Sequence, residues 1–134
     1  QKIDQEHRLE NVQFQPFVSI DEYPFLAKEA DVGVVCVSNE NRTPVMPGKT
    51  LGFMASSILI LAFVNKESDV HEILKKARCG YSSISDDTWK AAQLVRRIYD
   101  EKDKLAHYGQ NGYNYVRMNF SKKICVDKLE KLIL

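Results

Sequence analysis

Residues 58–64 read Ile58-Leu59-Ile60-Leu61-Ala62-Phe63-Val64, seven apolar side chains without a polar interruption. A run of this length and composition is expected as a strand covered on both faces, which is the place of an inner strand in a parallel sheet. Its flanks set the fold class. Upstream, Pro47-Gly48-Lys49-Thr50 opens an apolar helix expected over residues 49–56. Downstream, the polar corner Asn65-Lys66-Glu67-Ser68-Asp69 leads into a helix expected over residues 70–78, with Val70, Ile73, Leu74 and Ala77 on one face and Gly80 as its stop. Lys75, Lys76 and Arg78 oppose the dipole at its end, and Glu72 and Lys76 have i,i+4 spacing.

Working outward, residues 31–37 (DVGVVCV) give a second strand expected to be covered on both faces, and residues 81–84 a short last one. Residues 12–17 (VQFQPF) alternate as a short first strand that Pro16 ends. Ser19 and Glu22 have the capping-box spacing for a helix reaching about Ala30. Ser85 is expected to cap a helix with Trp89, Ala92, Val95 and Tyr99 on its apolar face. The last third reads as helical, with Leu105, Tyr108, Gly112, Tyr115 and Val116 spaced for packing, then a helix capped by Ser121 with Cys125, Leu129, Leu132 and Ile133 inward. Strands alternating with helices, followed by helices, predict an α/β fold: a partial Rossmann-like three-layer αβα arrangement with a mostly parallel sheet, one partial domain over residues 1–134.

Nineteen Lys and Arg against eighteen Asp and Glu leave a net charge of +1, so no general field draws the chain to nucleic acid. Any anion it binds is bound locally. Cys36, Cys79 and Cys125 form no CxxC pair and are expected as reduced packing thiols. The apolar stretch 51–64 is broken by Gly52 and Ser56-Ser57 and falls short of the roughly 20 residues a bilayer requires. The first ten residues (QKIDQEHRLE) lack the pattern of a signal peptide and begin without Met, which suggests a fragment.

In open α/β sheets ligands bind outside the carboxyl ends of the strands, so the loop 38–47 and the helix start that it feeds are the candidate site. A helix start leaves backbone N–H groups unpaired at the positive end of the macrodipole, Gly48 permits close approach and Lys49 adds a mobile charge, so the corner is read as a phosphate site. A nucleotide-hydrolysing P-loop is the competing reading, since Gly48-Lys49-Thr50 matches the end of its motif. It fails at the first position, where Thr43 replaces the required glycine, and Pro44 and Pro47 remove amides from a loop that must donate them. His7, His71 and His107 form no constellation with a nucleophile, and His71 reads as a capping or surface residue. Asp86-Asp87 reads as dipole compensation rather than a metal pair, and Lys122-Lys123 as a solvated face.

Four strings in order, ADVGVVCV (30–37), VMPGKTLGFMASS with ILILAFV (45–64), ESDVHEILKKARCG (67–80) and HYGQNGYNYVRMNFS (107–121), resemble the C-terminal, donor-binding domain of GT-B glycosyltransferases of family 4, of the bacterial polysaccharide-biosynthesis type. The resemblance implies retaining transfer of a sugar from a nucleotide-sugar to a glycan or lipid-linked acceptor, with no metal and no cofactor beyond the donor itself. It implies a cytoplasmic location, peripheral to the inner membrane in the parent protein. It makes Pro47, Gly48, Lys49 and Thr50 the diphosphate corner, Asn39, Glu40 and Arg42 the loop facing the donor, and Glu67, Ser68 and Asp69 a second loop beside it.

Three departures accompany it. Pro44 and Gly52 occupy the positions of the Glu-x7-Glu pair that in many relatives holds the sugar and ribose, and Ser57 stands where relatives usually carry Gly. Two earlier βα units and a separate acceptor domain are missing, so the chain alone is expected to be inactive. Their absence leaves the 32–37 strand with an open edge, and the alternative reading is a non-enzymatic module that pairs through that edge with itself or a partner chain.

Overall fold

A computed structural model describes residues 9–44 and 46–133. The expectations for the first eight residues, His7 included, and for Val45 lie outside the described residues. In chain order the elements are α1 (Tyr23–Lys28), β1 (Val32–Cys36), α2 (Gly48–Ala55), β2 (Leu59–Val64), α3 (Val70–Ala77), β3 (Gly80–Ile84), α4 (Thr88–Asp100), a 3-10 turn (Lys102–Lys104), α5 (Leu105–Phe120) and α6 (Lys122–Ile133). The three strands form one parallel sheet in the order β1-β2-β3. Val32 pairs with Leu59 at one end of the first ladder, and Val64 with Ile84 at the far end of the second. The fold is the expected α/β, Rossmann-like arrangement.

The period of two along β2 feeds two hydrophobic clusters, one on each side of the sheet. Ile60, Ala62 and Val64 join Val35, Met54, Val70, Leu74 and Cys79 under α2 and α3. Leu59 and Leu61 join Leu94 and Ile98 of α4. Helix α5 serves both, with Leu105 and Tyr108 against the second cluster and Tyr115 and Val116 against the first. β2 is thus covered on both faces as read from its sequence.

β1 is not. Gly33 and Val35 are buried on the face that meets α2, but Val34 is 49% exposed and Cys36 is exposed on the other face. A continuous apolar run records what a strand tolerates, not whether a neighbour is present. Cys36 and Cys125 do not take the packing role expected of them, since both are exposed, while Cys79 is fully buried and its thiol is pushed up to about 12.

Other elements depart from expectation. Residues 12–17 form no strand, and Phe17 is 98% exposed. Alternation makes a strand only where an edge accepts it, and none of the described strands pairs with this one. Ser19 and Glu22 do make the reciprocal capping-box contacts, Ser19 N to Glu22 Oε2 at 3.4 Å and Glu22 N to Ser19 Oγ at 3.3 Å, although the helix proper begins at Tyr23. Asp87, not Ser85, caps α4 by accepting from Lys90 N at 2.8 Å. That helix is also turned about its axis: Leu94 and Ile98 are buried, while Trp89 is 71% exposed and Val95 and Tyr99 face outward. In α6 no residue is buried, so Cys125, Leu129, Leu132 and Ile133 do not point into a core.

Two helices end in Schellman motifs built on non-glycine residues. After α2, Ser57 takes φ 59° while Ile58 N bonds Phe53 O and Ser57 N bonds Met54 O. After α3, Arg78 takes φ 50° with the same pattern from Cys79 to Leu74 and from Arg78 to Lys75. Gly80 is therefore not the helix stop. It is demanded by close packing, since a Cβ there would stand 1.9 Å from the Ile60 carbonyl oxygen of the neighbouring strand.

Candidate functional site

Polar side chains cross-tie the carboxyl ends of all three strands. Asn65 follows β2 directly and is 1% exposed. Its Nδ2 donates to the carbonyl of Asn41 and, at 3.3 Å, to that of Thr43, both in the loop that follows β1. From the end of β3, Ser85 Oγ donates to the Val37 carbonyl, and Asp86 Oδ2 accepts from Asn39 Nδ2 at 2.7 Å. Within the loop, Asn41 Oδ1 accepts from Thr43 N at 3.2 Å and Thr43 Oγ1 at 2.6 Å, and Ser38 Oγ accepts from Glu40 N at 3.2 Å. Such side-chain-to-backbone bonds give a loop its shape without a core of its own. Residues 40–44 are all exposed, so polar clamps rather than apolar burial set their position.

The loop delivers the chain to α2. Pro47 is the N-cap, with φ −58° and ψ 133°, and having no polar side chain it leaves the first-turn amides uncapped. Thr50 N bonds the Pro47 carbonyl at 2.9 Å, while the amides of Gly48 and Lys49 have no intrahelical acceptor by geometry. Lys49 is exposed and forms no ion pair among the described residues. A Cβ at Gly48 would meet nothing within 4 Å, and the same holds at Gly52 one turn later. This helix start can therefore receive a negative charge with amides, dipole and a mobile ammonium. Among the described residues no group of three potential metal ligands occurs. A groove of about 550 Å³ runs along Ala92, Val95, Arg96 and Tyr99 on the outer face of α4, away from this helix start.

The residues singled out from the sequence fall in three settings. Pro47, Gly48 and Lys49 form the helix start itself. Thr50 differs from its expected role: it is fully buried, its amide donates to the Pro47 carbonyl, and its Oγ1 has no hydrogen-bond partner among the described residues, so it faces the core. Asn39 is held by Asp86, whereas Glu40 and Arg42 project from the rim of the loop. On the second loop Glu67 and Asp69 are exposed and Ser68 is buried, its amide bonding the Asn65 carbonyl at 3.3 Å and its Oγ accepting from Val70 N at 3.4 Å. Asn65 thus joins the two loops at one edge.

Asn65, His71, Ser85 and Asp86 carry this geometry without having been singled out for it. His71 is no surface residue: its Nδ1 lies 2.8 Å from Ser82 Oγ and its Nε2 3.1 Å from the Asn65 carbonyl. The one sequence signal for Asn65 is its position, an amide side chain directly after a fully buried strand. Compared with protein-family models, with curated proteins and with solved structures, the chain matches none.

Proposed function

We propose that the chain is the nucleotide-sugar-binding part of a retaining glycosyltransferase that serves cell-surface polysaccharide synthesis, with a glycan or lipid-linked acceptor. The observation that supports this reading is the start of α2: two first-turn amides, an open glycine and a lysine with no ion pair among the described residues, at the carboxyl edge of a parallel sheet. In that reading the diphosphate of the donor sits against Gly48 and Lys49. As the glycosidic bond breaks, negative charge grows on the departing diphosphate, and fixed amides with a lysine stabilise it where it develops. Orientation by the loop 39–44 adds to this, so no base at the corner is required. Binding rather than turnover is the property expected of this chain alone.

Titration with a nucleoside diphosphate, a nucleoside monophosphate and sulfate, followed by backbone amide resonances, tests the reading. Diphosphate is expected to shift Gly48 and Lys49 first and to bind more tightly than monophosphate or sulfate. Equal weak shifts at every exposed lysine would overturn it.

A second reading rests on a separate observation. β1 is an edge strand of sequence VGVVC without charge or proline, and edges of that kind pair with other chains. Self-association through this edge would appear as a dimer in light scattering, abolished by Val34→Lys.

A further inference from the structure

Residues 38–44 of the loop meet the body of the protein through Asn65, and Asn65 is itself held from behind. The amide assignment is fixed by the surroundings: two carbonyls face Nδ2, and an oxygen in its place would be repelled by both. The backbone carbonyl of the same residue accepts from His71 Nε2 at 3.1 Å and from Ser68 N at 3.3 Å. A carbonyl only accepts, so Nε2 carries a proton, and in the neutral ring Nδ1 then accepts from Ser82 Oγ at 2.8 Å. The ring is half-buried in the first turn of α3 and bridges β3 to the end of β2.

We propose that His71 is the positioning residue of the ligand-facing loop: its Nε2–H fixes the backbone of Asn65 in the one orientation that aims the Asn65 side-chain amide at Asn41 and Thr43. His71 touches no ligand. It acts through Asn65 on the limb of the loop that carries Asn39, Glu40 and Arg42 and feeds the start of α2. The link to ligand binding rests on the glycosyltransferase reading, whereas the hold on the loop does not.

Two substitutions separate the ring nitrogens. His71→Gln places an N–H near the Nε2 position and keeps the bond to Asn65, and His71→Asn reaches only as far as Nδ1 and keeps only the bond to Ser82. In the full chain, exchange of the Asn65 side-chain protons with water and the carbonyl resonances of Asn41 and Thr43 report on the loop, and titration with inorganic pyrophosphate reports on binding. His71→Asn is expected to speed exchange of the Asn65 protons by about tenfold, the order of one lost hydrogen bond, and to shift both carbonyls, while His71→Gln stays near wild type. Pyrophosphate affinity should follow the same order. If the two variants behave alike, or if Asn65 keeps its protection in His71→Asn, the proposal is overturned. Should His71→Asn fail to fold, Ser82→Ala removes the Nδ1 partner and leaves the Nε2–H bond to Asn65; like His71→Gln it is expected to keep Asn65 protection near wild type, and accelerated exchange there contradicts the proposal. Failure of the wild-type chain to bind pyrophosphate would overturn the glycosyltransferase reading, and the exchange measurement would still decide the role of His71.

Discussion

The carbonyl oxygen of Ser57 lies 1.9 Å from where a Cβ of residue 109 would stand, so α5 crosses the end of α2 in backbone contact. Ser57 is held there in the left-handed region by the end of α2, and Gly109 is the residue that lets the long helix settle on it. One turn further, Gly112 packs on Cys79 and Met54, at 3.1 Å and 3.5 Å for an added Cβ, and brings α5 onto the first cluster.

Gly109→Ala is expected to destabilise the fold by about 1–3 kcal/mol or more, since a backbone carbonyl cannot move aside as a flexible side chain would. Gly52→Ala is the control. Nothing lies within 4 Å of its Cβ, so the better helix propensity should add about 0.5–1 kcal/mol. Urea unfolding of both variants reads the difference directly.

Ser57→Gly and Arg78→Gly relieve left-handed backbone at φ 59° and 50°. Each should raise stability, by up to about 1 kcal/mol, because a left-handed L-residue carries a steric cost that glycine lacks. The two sites lie at the ends of different helices, and their gains should add. A loss of stability in either variant would mean that its side chain has a role beyond the turn.

Legibility from sequence followed coverage by neighbours. The run at 58–64 was readable because β2 is enclosed on both sides, and the helices between strands followed from the spacing of their apolar residues. The orientation of α4 was not, because the helix carries two apolar stripes. Ala91, Leu94 and Ile98 share one stripe, with Glu101 just past its end, and Trp89, Ala92, Val95 and Tyr99 the other. What selects the first is polar and distant in sequence: Glu101 Oε2 accepts from Tyr81 at 2.7 Å and Tyr108 at 3.1 Å, which fixes the rotation of the helix end. Asn65 was hidden in the same way, as a polar corner whose partners lie more than twenty residues upstream. Periodicity reports local burial, and these contacts are long-range.

That same cluster gives a pH dependence. The Tyr81 hydroxyl, with Arg97 and Tyr108 adding to it, holds the Glu101 carboxyl below its ordinary value against the opposing effect of burial. A carboxyl depressed in the folded state contributes stability that is present above its unfolded value of about 4.3 and is lost as pH falls through the folded one. Between about pH 5 and 3 the wild type should therefore lose more stability than Glu101→Gln. Parallel curves for the two proteins would show that the ionised carboxyl contributes nothing.

Lys49 decides the account of the site. It has no structural partner among the described residues, and Gly48 has no structural need to be glycine, so replacing either leaves the fold intact. The measurement is the affinity of the chain for a nucleoside diphosphate in Lys49→Ala and Gly48→Ala, taken beside their unfolding midpoints. Loss of a charge-assisted contact of about 1.5–3 kcal/mol predicts weaker binding by at least about tenfold in Lys49→Ala, with the midpoint unchanged. Gly48→Ala should weaken binding while holding or raising stability. Wild-type affinity in Lys49→Ala would contradict a diphosphate site at the start of α2.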